Sequence, residues 1–347
     1  MFFFIKNLLR AELVSSPQLK KKISLNINNI IPGKIYCFGK KNSDKIFYVI
    51  KRNFTPSGLF SNLFFVIDHI QYAIKKNYIP YVDMENFVTV YNENNRINNS
   101  YNAWEYYFKQ IFNYKEIYKS KSVIFSGNQR LTKDDFNSKK KNKEIKNIIK
   151  KYIKILKKHQ DEFHKTRSTL FKKNEKILGV HVRGTLQKIV KSHWLPLDYK
   201  SMIIETMKIF TKEKCTKIFL VSEDINYVNF FEDFFKEKMI IRDTPRSKPF
   251  FFSLHNKHFA QHKIKNNRYE MGRQTLLDSL LLSSVPVLLH DKSNVPHFSY
   301  LYSTLKQKRY QINSEYNSHS IFISRWLWYL KVYFPFFKKI KYTIKYT

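Results

Sequence analysis

In the second half of the chain, short apolar runs alternate with segments whose apolar residues recur every three or four positions, the pattern of strands followed by amphipathic helices. Residues 177–182 form one apolar run, and residues 217–221 a second that leads into a helical pattern over 227–235 and a short strand at 239–241. Residues 266–284 predict an amphipathic helix with Leu276, Leu277, Leu280 and Leu281 inward, followed by a short buried strand at 285–289. Ser293 and Asn294 supply N-cap chemistry ahead of a helix over 295–305. Strands alternating with helices in this way predict an α/β domain built on a parallel sheet. A polar stretch from Arg242 to Lys265 reads as a loop too long to be idle in a compact domain.

Polar residues stand where each of these strands ends, which is where an open parallel sheet presents ligand-binding groups. The run Ile177-Leu-Gly-Val-His-Val-Arg-Gly-Thr185 closes on His181, Arg183, Gly184 and Thr185, and the next closes on Ser222, Glu223 and Asp224. An Arg at such a position suits a phosphate, because its planar fork donates paired hydrogen bonds and stays charged at any relevant pH. The helix start at Ser293 and Asn294 adds free backbone N–H groups at the same sheet edge, so the pattern predicts an anion site assembled from separate strand ends.

His181-Val-Arg-Gly-Thr185, Val221-Ser-Glu-Asp224, Asn267-Arg-Tyr-Glu-Met-Gly272 with Leu277-Asp-Ser-Leu-Leu-Leu-Ser283, and Ser293-Asn294 resemble, in order and spacing, the fucosyltransferases related to the rhizobial nodulation and α1,6-fucosyltransferases. In the N-terminal half Ser57-Gly-Leu-Phe-Ser-Asn62, Ile79-Pro-Tyr-Val-Asp83 and Asn102-Ala-Trp-Glu-Tyr-Tyr-Phe108 are similar to that family's first domain. The resemblance implies a GT-B-like α/β architecture of two Rossmann-like domains facing a cleft, with GDP-fucose held mainly by the second and a glycan acceptor approaching across the cleft. It implies that Arg183 holds the diphosphate together with the loop His181, Gly184 and Thr185. Glu223 and Asp224 fall at the acidic strand end that contacts the nucleotide, Asp278 and Ser293, with Asn294, where the base and phosphates bind, and Ser61 and Asn62 on the cleft-facing loop of the first domain. Two positions depart from the family pattern. Leu186 stands where an acid usually steadies the loop, and Lys191 falls where the α1,6 enzymes carry a candidate glutamate base. His193, Asp198 and Glu223 are the nearest substitutes, and His193 has the intrinsic pKa suited to proton abstraction near neutrality.

A chain of 347 residues, 43% hydrophobic and 17% aromatic, is long enough for two domains with real cores. The division expected is residues 1–138, a basic linking helix over 139–172, a nucleotide-sugar domain over 173–315 and an amphipathic tail over 316–347. The linking segment carries Ile145, Ile148, Ile149, Ile153 and Leu156 on one stripe over 139–158, with its lysines as a solvated face. Net charge is +36, from 63 basic and 27 acidic residues, which attracts nucleic acid, anionic lipid or phosphorylated glycans. Part of that excess follows from a Lys-, Asn- and Ile-rich composition of the kind an AT-rich genome produces. Nucleic-acid binding rests on charge alone, with no zinc-finger spacing or RNP-like signature behind it.

There is no Asp-x-Asp, and His255, His258 and His262 lack a nearby acid, so the expected chemistry needs no metal. The donor is then a substrate, and no cofactor is implied. Two cysteines, Cys37 and Cys215, form no framework and fit a reducing cytoplasm. No apolar segment reaches the roughly 18–20 residues that span a bilayer, and residues 1–9 read as an ordinary strand or helix without a cleavage-site pattern. The tail is different: residues 321–330 and 332–337 concentrate Trp, Tyr and Phe, followed by Lys338, Lys339 and Lys341. That composition fits either a helix lying in the headgroup region or a segment packed on the second domain. The expected setting is the cytoplasm, with the tail on an anionic inner membrane face, in synthesis of a bacterial surface glycan.

Overall fold

The computed structural model describes residues 29–52, 57–114, 116–132, 138–185, 187–246 and 265–346. Residues 1–9, Leu186 and the histidines at 255, 258 and 262 lie outside them. Contacts divide the described chain into two units: residues 29–162 with 265–276, and residues 163–246 with 277–346.

The first unit is built on strands β1 (Ile35–Tyr36), β2 (Lys41–Ile50), β3 (Ile79–Val82) and β4 (Ser120–Phe125), in the order β1-β4-β2-β3. β2 pairs in parallel with both β3 and β4, and the short β1 closes the edge antiparallel to β4. Helix α1 (Leu59–Lys75) follows β2 and is buried along most of its length, without a break from Asn62 through Ile70, as its near-continuous apolar sequence requires. Phe47, Val49, Phe87, Val123 and Phe125 form one core cluster of this unit.

The basic segment after residue 138 differs from the single helix its stripe predicts. It forms α2 (Lys139–Tyr152) and α3 (Lys157–Leu170), interrupted where Ile153 turns extended. The break has a tertiary cause. Ile155 bridges to Phe108, and Leu156 N–H donates to the Tyr107 carbonyl at 2.9 Å, so the local helical preference yields to pairing with another segment. In the same unit Tyr107 stacks on Tyr269 and donates its hydroxyl to the Tyr269 carbonyl at 2.9 Å. Only glycine fits at 272, where a Cβ would lie 2.1 Å from the Tyr107 hydroxyl.

The second unit contains β5 (Ile177–Val182), α4 (Tyr199–Lys212), β6 (Lys217–Ser222), α5 (Ile225–Phe235), β7 (Met239–Ile240), the helix α6 (Asn267–Ser283) from Leu277 onward, β8 (Val287–His290), α7 (Asn294–Tyr302), β9 (Lys308–Ser314), α8 (Ile321–Tyr333) and β10 (Tyr342–Tyr346). Its sheet runs β10-β9-β8-β5-β6-β7, parallel throughout except for β10. Alternation along the strands sends Leu178, Val180, Ile218, Leu220, Val287 and Leu289 to one core, while Ile177, Phe219, Val221 and Leu288 join Leu277, Leu281 and Leu282 of α6 in another. Both faces are covered, which is why these strands read as continuous apolar runs.

Of the two readings open to the tail, packing on the second unit is seen for part of it, and the division at residue 316 does not separate it from that unit. Trp328 of α8 is fully buried, donates its indole N–H to the Pro196 carbonyl at 2.9 Å and joins the core of the second unit with Ile340. β10 extends the sheet against β9 over Tyr342–Tyr346. Residues 316–346 are therefore part of this unit, because a buried indole and a paired edge strand tie them to it.

Candidate functional site

Strand order determines where the second unit can hold a ligand. From β5 the chain steps outward through β6 and β7, then returns to the other side of β5 with β8 and β9, so the order reverses between β5 and β8. The connections leave this point in opposite directions and open a crevice outside the carboxyl ends of these two strands. His181 and Arg183 come from β5 and its following turn, and His290, Asp291 and Ser293 from the end of β8.

Asp291 ties the two strand ends together. Its Oδ1 lies 2.8 Å from His181 Nδ1, and its Oδ2 accepts the Arg183 backbone N–H at 2.7 Å. Burial alone would raise the Asp291 pKa, but the facing imidazole and the backbone donor outweigh it and hold the carboxyl below its ordinary value. With its backbone anchored in this way, Arg183 presents a half-buried guanidinium that no hydrogen-bond or ion-pair acceptor among the described residues occupies. A cation fixed at its root and left open at its tip is suited to an anionic ligand. Sequence reasoning missed Asp291, which is a lone acid after a short strand; only the pairing of β5 with β8 reveals its role.

The other expected residues divide. Ser293 stands, buried, at the N-cap position of α7, whose start faces the same sheet end, but its side chain makes no capping hydrogen bond, contrary to the N-cap chemistry expected of it; the Asn294 Oδ1 beside it is buried with no hydrogen-bond partner among the described residues. Thr185 donates its hydroxyl to Glu223 Oε1 at 3.2 Å, linking the ends of β5 and β6. Asp224, expected to contact the nucleotide, has a different place. It is fully buried, caps α5 by accepting the Asn226 N–H at 3.0 Å, and pairs with Lys188, itself fully buried. Lys188 is in turn held by the Tyr199 hydroxyl at 3.0 Å and lies 4.1 Å from the Trp328 ring centre. Both Asp224 oxygens are committed inside the protein, so this carboxylate cannot meet a ligand without breaking an ion pair. Gly184 is likewise explained by packing, since a Cβ there would lie 2.1 Å from Asp224 Cβ. Asp278 is partly exposed and held by Arg242, with Oδ1 at 2.7 Å from the guanidinium.

Among the candidate bases, Asp198 is occupied as the N-cap of α4, accepting from Ser201 N at 2.9 Å and Ser201 Oγ at 2.6 Å. His193 differs, because its side chain has no hydrogen bond to another described residue and its pKa is lowered, first by loss of hydration and then by the nearby charge of Arg183. It sits on a loop pinned by Asn317, whose Nδ2 donates to the carbonyls of Lys188, Val190 and Ser324. The next residue, Trp194, stacks on Tyr316 with ring centres 3.8 Å apart.

In the first unit β2 is the strand at which the order reverses. Arg52, just beyond its end, donates to Asn62 Oδ1 at 3.0 Å and Ser61 Oγ at 3.3 Å, so these two side chains serve a cation of their own unit. Among the described residues no group of three or more His, Cys, Asp or Glu is placed to hold a metal ion.

No protein-family model and no curated protein sequence matches this chain. Several solved structures are similar to it. The NodZ α1,6-fucosyltransferase soaked with GDP-fucose is 15% identical over 78% of this chain and 95% of its own, with a TM-score of 0.47, and NodZ from Bradyrhizobium is 14% identical over the same shares at 0.47. A mutant of Arabidopsis thaliana FUT1 in complex with GDP is 12% identical over 79% of this chain and 72% of its own, at 0.42.

Proposed function

We propose that the protein is a glycosyltransferase of GT-B-like arrangement whose second unit binds a nucleoside-diphosphate sugar, GDP-fucose, and transfers the fucose to a glycan hydroxyl. The observation that carries this reading is the guanidinium of Arg183, without an acceptor among the described residues, at the reversal of strand order, with its backbone fixed by Asp291. The motif resemblance in the sequence supplies the sugar and the base. Breaking the bond between the sugar and the diphosphate builds positive charge on the ring and negative charge on the departing GDP. A fixed cation and the amino end of α7 stabilise that leaving group without reorganisation, so no metal is assigned. His193, neutral near pH 7 by the direction of its pKa, takes the proton from the acceptor hydroxyl, giving direct displacement with inversion. The acceptor fits a bacterial surface glycan made on the cytoplasmic side.

Release of GDP or UDP from a panel of GDP- and UDP-sugars, with and without EDTA, tests the reading. Turnover of GDP-fucose that survives chelation is expected. Turnover restricted to UDP-sugars, or abolished by EDTA, would overturn the donor or the metal-independent chemistry respectively.

A further inference from the structure

The aromatic residues of α8 divide between core and solvent. Ser324 and Trp328 are buried and Tyr329 packs against the same core, whereas Phe322, Trp326 and Tyr333, spaced by four and seven residues, are exposed. Phe322 is 72% exposed and Trp326 45%. Beyond the helix the chain turns with every residue from 333 to 339 exposed, including Phe334, Phe336 at 95% and Phe337. A soluble surface rarely presents so many large apolar side chains together. The helix beneath them is held by the buried Trp328 and the strand after them pairs with β9, so the ridge is tethered at both ends. Charge decides what it fits. Between residues 316 and 347 there are six cations, Arg325, Lys331, Lys338, Lys339, Lys341 and Lys345, and no Asp or Glu; Lys331 is paired with the preceding Glu315 at 2.8 Å, which leaves five.

We propose that this ridge docks the protein on an anionic lipid bilayer, with Phe334, Phe336 and Phe337 inserted at the headgroup boundary and Lys338, Lys339 and Lys341 against the lipid phosphates. Tyr and Trp rings favour that boundary because one part of each is apolar and another polar, and lysines gain from the negative surface potential. No helix among the described residues is long and apolar enough to cross a membrane, and the docking needs none. The proposal concerns a surface formed within the second unit and is independent of the donor assignment.

The test is co-sedimentation of the full chain with phosphatidylcholine vesicles prepared with and without phosphatidylglycerol. Binding only to the anionic vesicles is expected. Replacing Phe334, Phe336 and Phe337 together by Ser should weaken it by roughly tenfold or more. Replacing Lys338, Lys339 and Lys341 by Ser should cost about fivefold for each lysine and flatten the salt dependence. Both variants should keep the melting temperature of the parent, since they change exposed side chains. Absence of binding to anionic vesicles, or binding that ignores the aromatic substitutions, overturns the proposal. Self-association that the aromatic variant abolishes, with no vesicle binding, would assign the ridge to a second copy of the chain instead.

Discussion

Replacing Arg183 by Ala separates ligand binding from folding sharply, because of how the residue is held. Its backbone N–H reaches Asp291 whatever the side chain, and its guanidinium has no acceptor among the described residues. The unliganded variant should therefore match the parent in stability to within about 0.5 kcal/mol. Loss of a charge-assisted contact to a diphosphate should cost ~1.5–3 kcal/mol of binding, a factor of roughly 10 to 150 in Kd. At a GDP concentration about 100 times the parent Kd, ligand stabilises the parent by about 2.7 kcal/mol; a hundredfold weaker Kd leaves about 0.4 kcal/mol. Thermal melts with and without GDP read both quantities on one sample. Arg183→Lys should recover little of the shift, because an ammonium cannot reproduce the paired fork. A full GDP shift in the alanine variant would remove Arg183 from the site. A large drop in the unliganded melting temperature would show instead that the side chain serves the fold.

Three further outcomes follow from other contacts. Lys188→Ala should lose about 3–5 kcal/mol in urea unfolding, since it leaves Asp224 buried and unpaired; combined with Asp224→Asn, the losses should be far from additive, and additive losses would dissolve the pair. Gly184→Ala should cost ~1–3 kcal/mol by forcing the turn away from Asp224, and a neutral melt would count against the close approach. Burial lowers the His290 pKa to about 3, so the native state keeps it neutral while the unfolded chain takes up a proton below its ordinary value of 6.5. Stability from this group is thus complete above pH 6.5 and declines as pH falls toward 3, by about 1.4 kcal/mol per unit. His290→Asn should flatten that part of an acid-unfolding curve, and an unchanged slope would refute the assignment.

Much of the second unit was legible in the sequence because each element there is locally consistent. Apolar runs buried on both faces, leucines at helical spacing in α6 and Ser293 ahead of α7 need no knowledge of their neighbours to be recognised. The same logic brought Arg183 forward, because a charged residue directly after a buried strand must emerge at the sheet edge. Pairings between distant segments were beyond it. The helix expected through residue 158 breaks after Tyr152 because Ile155 and Leu156 answer to Phe108 and Tyr107, some 50 residues away. Asp224 looked like a ligand contact at the end of β6 until Lys188, brought back by its own loop, took up its charge. Asp291 had no signal until β8 lay beside β5. The tail's composition allowed either a membrane or a core, and the structure uses both kinds of face, burying Trp328 while leaving Phe336 in solvent. Local periodicity and chain stiffness are encoded within a few residues and can be read from them. The partner of a buried charge is chosen by which strands become neighbours, and that is settled only when the whole sheet has formed.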